Sequence, residues 1–277
     1  MCILLITISL LLCLVYFLNW GVNTTNRYFG IKEVHRIEGA VPSLGSDMML
    51  YNANNGELLA LVDCDWITTM RTGAVAAVSA KALRKSDAYI YGMVGLGNTA
   101  RATMLCVLEA ESEKHFHVKL LRYKNQAELF VDRFRDYDNV SFEILDDINE
   151  VARTVDVFIS CITSANGLLV ADESTFQSGV TVIPVHMMGL QNCDTTFDRV
   201  FGDDTDHVKC FKFFHSIKII TRLVRYLQGV IQGEGLMSRD LLTTTMALHS
   251  MMWFMLRRYS RCLHTIRMFQ ILNSKGD

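Results

Sequence analysis

The sequence predicts an α/β fold: a parallel sheet covered by helices, with a hairpin ahead of it. Three observations carry this expectation. From Asp87 onward, short apolar runs alternate with helix-like stretches. A Gly95-x-Gly97-x-x-Ala100 sequence joins one apolar run to the stretch that follows it. Upstream, Asn54-Asn55-Gly56 separates two short apolar-rich segments.

Taken in order, Met48 to Tyr51 and Leu58 to Val62 read as strands. The Asn-Gly pair between them favours the positive φ angles of a tight hairpin turn. Trp66 to Lys85 is rich in Ala and carries Arg and Lys toward its end, as a helix C-terminus prefers. Ala88 to Val94 is an apolar strand and Thr99 to Glu111 a helix. His117 to Leu121 and Gln126 to Phe134 repeat that pattern. Val140 to Ile144 and Ile148 to Arg153 repeat it again, and Val155 to Ser160 and Val180 to Val185 add two more strands. Each parallel crossover needs a covering helix, so this alternation implies βαβ units. Beyond His215 the chain is basic, with Lys218, Arg222, Arg225, Arg257, Arg258 and Arg261 among its cations. Helical spacing runs through Ile219, Leu223 and Leu227, and a solvated helix face is the expectation there. Recognition of nucleic acid or anionic lipid is the alternative.

Composition narrows the function classes. Half of the 277 residues are apolar, a fifth are charged, and the net charge is −2. Such a balance gives no global attraction to nucleic acid. Only Pro42 and Pro184 are prolines, which argues against a disordered linker. None of the eight cysteines forms a Cys-x-x-Cys pair or has zinc-ligand spacing with a histidine. Reduced thiols in a cytosolic fold are therefore expected, with no metal. Cys2 to Trp20 carries no charge and is long enough to cross a bilayer as a helix. Arg27, Lys32 and Arg36 follow, and positive flanks stay cytoplasmic. Residues 1–26 are thus read as a membrane tether, a buried apolar helix or a misassigned start. The remainder is read as cytoplasmic.

The glycine sequence carries the chemistry. Gly95 permits a tight turn, Gly97 lets a pyrophosphate approach the backbone, and Ala100 lets the helix pack close to the strand. Unpaired N–H groups at the helix N-terminus then face the phosphates. Its setting after an apolar strand matters more than the letters, and makes residues 87–214 a dinucleotide-binding domain of Rossmann type. The second strand of such a domain usually ends in an acid that accepts a ribose hydroxyl. Here it ends Leu120-Leu121-Arg122-Tyr123-Lys124, and the cations tilt the expected cofactor, NAD or NADP, toward NADP. Thr163 follows the strand ending at Ser160, at the sheet edge where ligands bind.

Leu59-Ala60-Leu61-Val62-Asp63, then Ile67-Thr68-Thr69-Met70-Arg71-Thr72-Gly73-Ala74-Val75, then Gly95 to Ala100, resemble the ornithine cyclodeaminase/mu-crystallin family. The similarity covers roughly residues 30–213. It implies a nicotinamide-dependent enzyme, usually a homodimer, acting on a small amino or imino acid. It also implies a second, smaller α+β substrate and dimerisation domain built from both chain ends, here residues 27–86 and 215–277, and leaves that domain incomplete. By the same resemblance Lys32 binds the substrate carboxylate and Arg71 clamps it beside the nicotinamide. The cofactor would be held by Ser43, Thr72, Gly95, Gly97, Asn98, Thr99, Ala100, Arg122, Thr163 and Val185. At the family's catalytic aspartate this chain has Met188. Asp194 and His186 are the remaining candidates for moving a proton. The alternative is a catalytically silent NADP-binding protein or a truncated family member.

Overall fold

The computed structural model describes residues 28–37, 44–163, 169–170, 173–186, 197, 199–202, 220–222 and 241–244. The apolar segment 1–26, Ser43, Met188 and Asp194 lie outside them. The described residues fall into two compact units, one up to Trp66 and one from Ile67 onward.

The first unit is a three-stranded antiparallel sheet in the order β1 (Tyr28–Arg36), β2 (Leu44–Asn52), β3 (Leu58–Asp63). The expected hairpin is β2 and β3, longer than the sequence indicates. Its turn is held by Gly56 N–H on Asn52 O and Asn52 N–H on Glu57 O, both at 2.9 Å. Gly56 takes a φ of +74°, which suits glycine. β1 has no counterpart among the expected strands. Its sequence, YFGIKEVHR, mixes apolar and charged residues without clean alternation. Pairing with β2 forms it, and the opposed residues Phe29 and Tyr51 stack with ring centres 4.9 Å apart.

Helix α1 (Asp65–Leu83) starts at the end of the first unit. Asp65 fixes this start, since its Oδ1 accepts from Ser46 N–H at 2.5 Å while its own N–H donates to Asp63 Oδ1 at 2.9 Å.

The second unit is an eight-stranded sheet with only parallel pairings. Its elements are β4 (Ile90–Val94), α2 (Asn98–Ala110), β5 (Phe116–Leu121), α3 (Gln126–Arg133), β6 (Val140–Leu145), α4 (Ile148–Arg153), β7 (Val157–Ser160), β8 (Thr181–Pro184), β9 (Arg199–Gly202), β10 (Ile220–Arg222) and β11 (Leu241–Thr244). The strand order is β10-β9-β11-β8-β7-β4-β5-β6. From β4 the chain steps outward to β5 and β6, then returns to β7 on the other side of β4. This is the order of a Rossmann-type sheet, and its switch point lies at the carboxyl ends of β4 and β7.

Alternation along the strands divides the core between two faces. Tyr91, Met93, Val118, Leu120, Val157, Ile159 and Ile183 are buried with Ala76, Ala80, Met104, Leu108 and Phe130 of the covering helices. Val94, Phe158 and Val182 are buried on the other face with Val151, Phe176 and Phe197. The strands and helices expected between Asp87 and Val185 all form, with ends shifted by a few residues. The helical spacing through Ile219 and Leu223 misleads, because Ile220–Arg222 is a strand paired with β9. A three-residue strand at a sheet edge is too short to show a period of its own. Among the described residues no helix is long and apolar enough to cross a membrane.

Candidate functional site at the carboxyl edge of the sheet

β4 runs directly into the glycine loop. Gly95 takes a φ of +74°, and a Cβ there would lie 2.6 Å from Ile162 N and 2.7 Å from Cys161 C. The loop after β4 and the loop after β7 are therefore in contact through Gly95, and no side chain fits between them. Gly97 N–H donates to Gly95 O at 2.8 Å and tightens the turn. Gly97 then caps α2 in an extended conformation, φ −82° and ψ −162°, and as a glycine it supplies no side-chain cap. Among the described residues, a Cβ on Gly97 would meet nothing within 4 Å. The two glycines thus differ in role: Gly95 is demanded by the fold, while Gly97 keeps open the space in front of the helix amides. Ala100 is fully buried against the sheet, as close helix packing requires. Asn98 is exposed and Thr99 half-buried on the first turn, where the Thr99 carbonyl accepts from Thr103 Oγ1 at 2.8 Å.

The loop after β7 lies at the same edge. Thr163 is exposed there, two residues beyond the buried Cys161. Burial pushes the Cys161 thiol up to about 12, against the opposing effect of a hydrogen bond with Thr103. A thiol held neutral in this way is no nucleophile at neutral pH. Val185 is buried, and its N–H donates to Ser160 O at 2.9 Å, extending the β7–β8 pairing to the sheet edge. His186 follows, half-buried.

The remaining site residues divide between the units. Lys32 stands on β1 opposite Met48. Its charge acts on Cys64, whose thiol is nonetheless pushed up to about 11 by burial. Arg71 and Thr72 lie on α1, half-buried. Thr72 Oγ1 donates to Thr68 O at 2.8 Å, so this hydroxyl's proton is engaged within its own helix. Gly73 sets the packing of α1, since a Cβ there would lie 2.6 Å from Ala102 C and Thr103 N of α2. Backbone thus lies close to backbone where α1 crosses α2.

Arg122 stands just past β5, as the sequence indicates, but not alone. Its Nε donates to Asp146 Oδ1 at 2.8 Å, and its Nη1 donates to Glu128 Oε1. Sequence reasoning misses both carboxylates. Asp146 lies 24 residues from Arg122 and reaches it through the β5–β6 register, in which Leu121 faces Leu145. Glu128 sits six residues on, across the turn into α3, where no helical rule pairs the two. Arg101 also escapes sequence reasoning. It follows Ala100 on α2, and its Nε is buried with no hydrogen-bond partner among the described residues.

The comparisons with known proteins agree with this geometry. Residues 19–186 match the ornithine cyclodeaminase/mu-crystallin family. The chain is 30% identical over 168 residues to a Δ1-pyrroline-2-carboxylate reductase of Colwellia psychrerythraea, covering 59% of this chain and 52% of that protein. It is 26% identical over 130 residues to the mouse ketimine reductase mu-crystallin, covering 47% of this chain and 40% of that protein. The chain therefore spans about half the length of the curated relatives it matches. Among solved structures, the Thermococcus litoralis Δ1-pyrroline-2-carboxylate reductase in complex with NADH and L-proline superposes with a TM-score of 0.71 at 19% identity. That match covers 85% of this chain and 78% of the other. The iminosuccinate reductase of Paracoccus denitrificans in complex with NAD+ gives 0.66 at 16% identity, covering 86% and 78%. Both likenesses establish the fold. With more than half of its length matched, and with a glycine loop at the switch point of a parallel sheet, the chain belongs to the ornithine cyclodeaminase/mu-crystallin family.

Proposed function

We propose that this protein binds a nicotinamide dinucleotide and exchanges hydride at the amine- or imine-bearing carbon of a small amino or imino acid. The observation that carries the reading is the open space in front of Gly97, at the end of β4 and beside the β7 loop. A pyrophosphate is suited to that space, because among the described residues nothing lies within 4 Å of where a Gly97 Cβ would be and the first amides of a helix have no partner within it. Gly95, Gly97 and the first turn of α2, from Asn98 to Ala100, would hold the phosphates. Thr163 and Val185 would line the nicotinamide end, and Ser43 and Thr72 would complete the cofactor site. When bound, the cofactor supplies or accepts the hydride. Lys32 and Arg71 would hold the substrate carboxylate, a task suited to a fixed guanidinium fork and an ammonium.

Reduction of an imine, or its reverse, fits this chain better than deaminating cyclisation. Cyclisation needs a side chain that gives and takes protons at the reacting nitrogen. Met188, where the family carries an aspartate, has a thioether with no proton to exchange. A preformed iminium already draws hydride and mainly needs to be positioned. Hydride addition to the iminium gives a neutral amine with no further proton, so Asp194 or His186 would be needed only to protonate a neutral imine to the iminium. The same Met188 favours the second reading, a dinucleotide binder without turnover.

The case for NADP rests on Arg122, and its two carboxylate partners weigh against a strong preference. Relatives described as reductases in complex with NADH or NAD+ support NAD as an equal candidate. A homodimer is the assembly we propose, in keeping with the archaeal alanine dehydrogenase dimer that shares the fold. Both chain ends would contribute to the second domain, and the cytosol is the proposed compartment. The test is a fluorescence titration with NADH and NADPH, followed by a turnover screen of α-amino acids and cyclic imino acids. Saturable binding of either cofactor with oxidation of NAD(P)H by a cyclic imine is expected. No binding of either cofactor by folded protein would sink the reading.

A further inference from the structure

We propose that cofactor choice in this protein is set by a Glu128–Arg122–Asp146 triad that already neutralises the arginine, so that NADPH gains no preference over NADH. The inference rests on the dinucleotide site argued above and concerns its ribose end. The end of β5, next to the strand that carries the glycine loop, is where the adenosine ribose lies in such a sheet. A lone arginine there would meet a 2′-phosphate through a charge-assisted fork. Here the fork is engaged on two sides. Arg122 Nε donates to Asp146 Oδ1 at 2.8 Å and Nη1 donates to Glu128 Oε1. The backbone holds the arrangement, with Arg122 N–H on Leu145 O at 2.8 Å.

The neighbouring groups reinforce the point. The other cation of the turn, Lys124, lies 5.3 Å from the centre of the Tyr123 ring. Asp147 is committed elsewhere, capping α4 through Asn149 N–H at 3.0 Å. One guanidinium facing two carboxylates leaves the triad with a net charge of −1. A 2′-phosphate brings about −1.5 to −2 more. Only Nε and Nη1 hold these carboxylates, so a phosphate approaching the remaining N–H groups of the guanidinium would sit within a few ångströms of both, and like charges at that distance repel. A 2′-hydroxyl meets no such obstacle. It needs an acceptor, and either carboxylate supplies one. The acid that the end of β5 lacks in sequence is thus provided from α3 and from the end of β6.

The experiment is a titration of NADH and NADPH against the parent protein, Glu128→Gln, Asp146→Asn and the double variant, at fixed ionic strength. All three side chains are exposed by two-fifths or more, so the fold tolerates these changes. The parent should bind NADH at least as tightly as NADPH. The double variant should raise the NADPH-to-NADH affinity ratio at least tenfold, and each single variant by less. Adding Arg122→Gln to the double variant should abolish the gain. A parent preferring NADPH by tenfold or more would overturn the proposal, as would a ratio unmoved in the double variant while NADH still binds. Loss of binding for both cofactors in every folded protein, the parent included, would instead defeat the dinucleotide site itself, and the triad's role with it.

Discussion

Replacing Gly97 by Val separates the binding role of the glycine loop from its structural role. A side chain at Gly97 would meet none of the described residues at once, since none lies within 4 Å of its Cβ. The backbone there, φ −82° and ψ −162°, is extended and admits valine without strain. Removing glycine from a helix cap costs up to about 1 kcal/mol, and the stiffer unfolded chain returns about 0.4–1 kcal/mol. Stability should therefore stay within about 1 kcal/mol of the parent, a Tm change of a few degrees. Binding should not survive. The valine methyls would hold the pyrophosphate off the helix amides, and each charge-assisted hydrogen bond to an amide is worth about 1.5–3 kcal/mol. Breaking two of these bonds costs about 3–6 kcal/mol, on the order of a hundredfold to ten-thousandfold in Kd. The assay is quenching of intrinsic fluorescence by NADH, with circular dichroism and a thermal melt on the same sample. A folded Gly97→Val protein that binds NADH as tightly as the parent would refute the reasoning.

Gly95→Ala should behave oppositely, lowering Tm and binding together, because it forces a Cβ into the β7 loop at a positive φ; a normal melt would contradict this. The half-buried Arg84–Glu111 pair, 2.6 Å apart, should matter for stability alone. Glu111→Ala leaves a 5% exposed arginine side chain without its carboxylate, at a cost of about 1–3 kcal/mol, so it should lower the urea midpoint, whereas an unchanged midpoint would show the pair to be dispensable. Cys161 should make the fold alkali-sensitive. Its folded thiol titrates at about 12 against an ordinary 9.0, so its stabilisation is full below pH 9 and falls as pH rises toward 12. Its share of the slope is at most about 1.4 kcal/mol per pH unit and the buried Cys64 thiol adds its own, so Cys161→Ala should lessen the slope in urea melts between pH 8.5 and 10.5 without abolishing it. For the reaction, the parent should release no ammonia from ornithine, and Met188→Asp should gain that activity. Proline formation by the parent with only catalytic NAD would count against imine reduction.

The sequence by itself determined the part of the fold whose signals are local. Apolar runs of five or six residues, separated by helices that begin and end on cue, are legible one at a time. The strands from Ile90 to Pro184 and their helices all emerge that way. The glycine loop is equally legible, because Gly95 and Gly97 answer to the backbone of their own turn. Only the tertiary structure decided what depends on a neighbour distant in the chain. β1 exists because β2 pairs with it, and its own residues show no period. The three-residue β10 takes its conformation from β9 and not from the helical spacing around it. Gly73 reads as an ordinary helix residue until α2 arrives 2.6 Å from where its Cβ would be. Arg122 reads as a free cation until the β5–β6 register brings Asp146 beside it and the turn into α3 brings Glu128. A charge is written in the sequence, but what that charge is worth depends on which opposite charges the fold sets within hydrogen-bond reach.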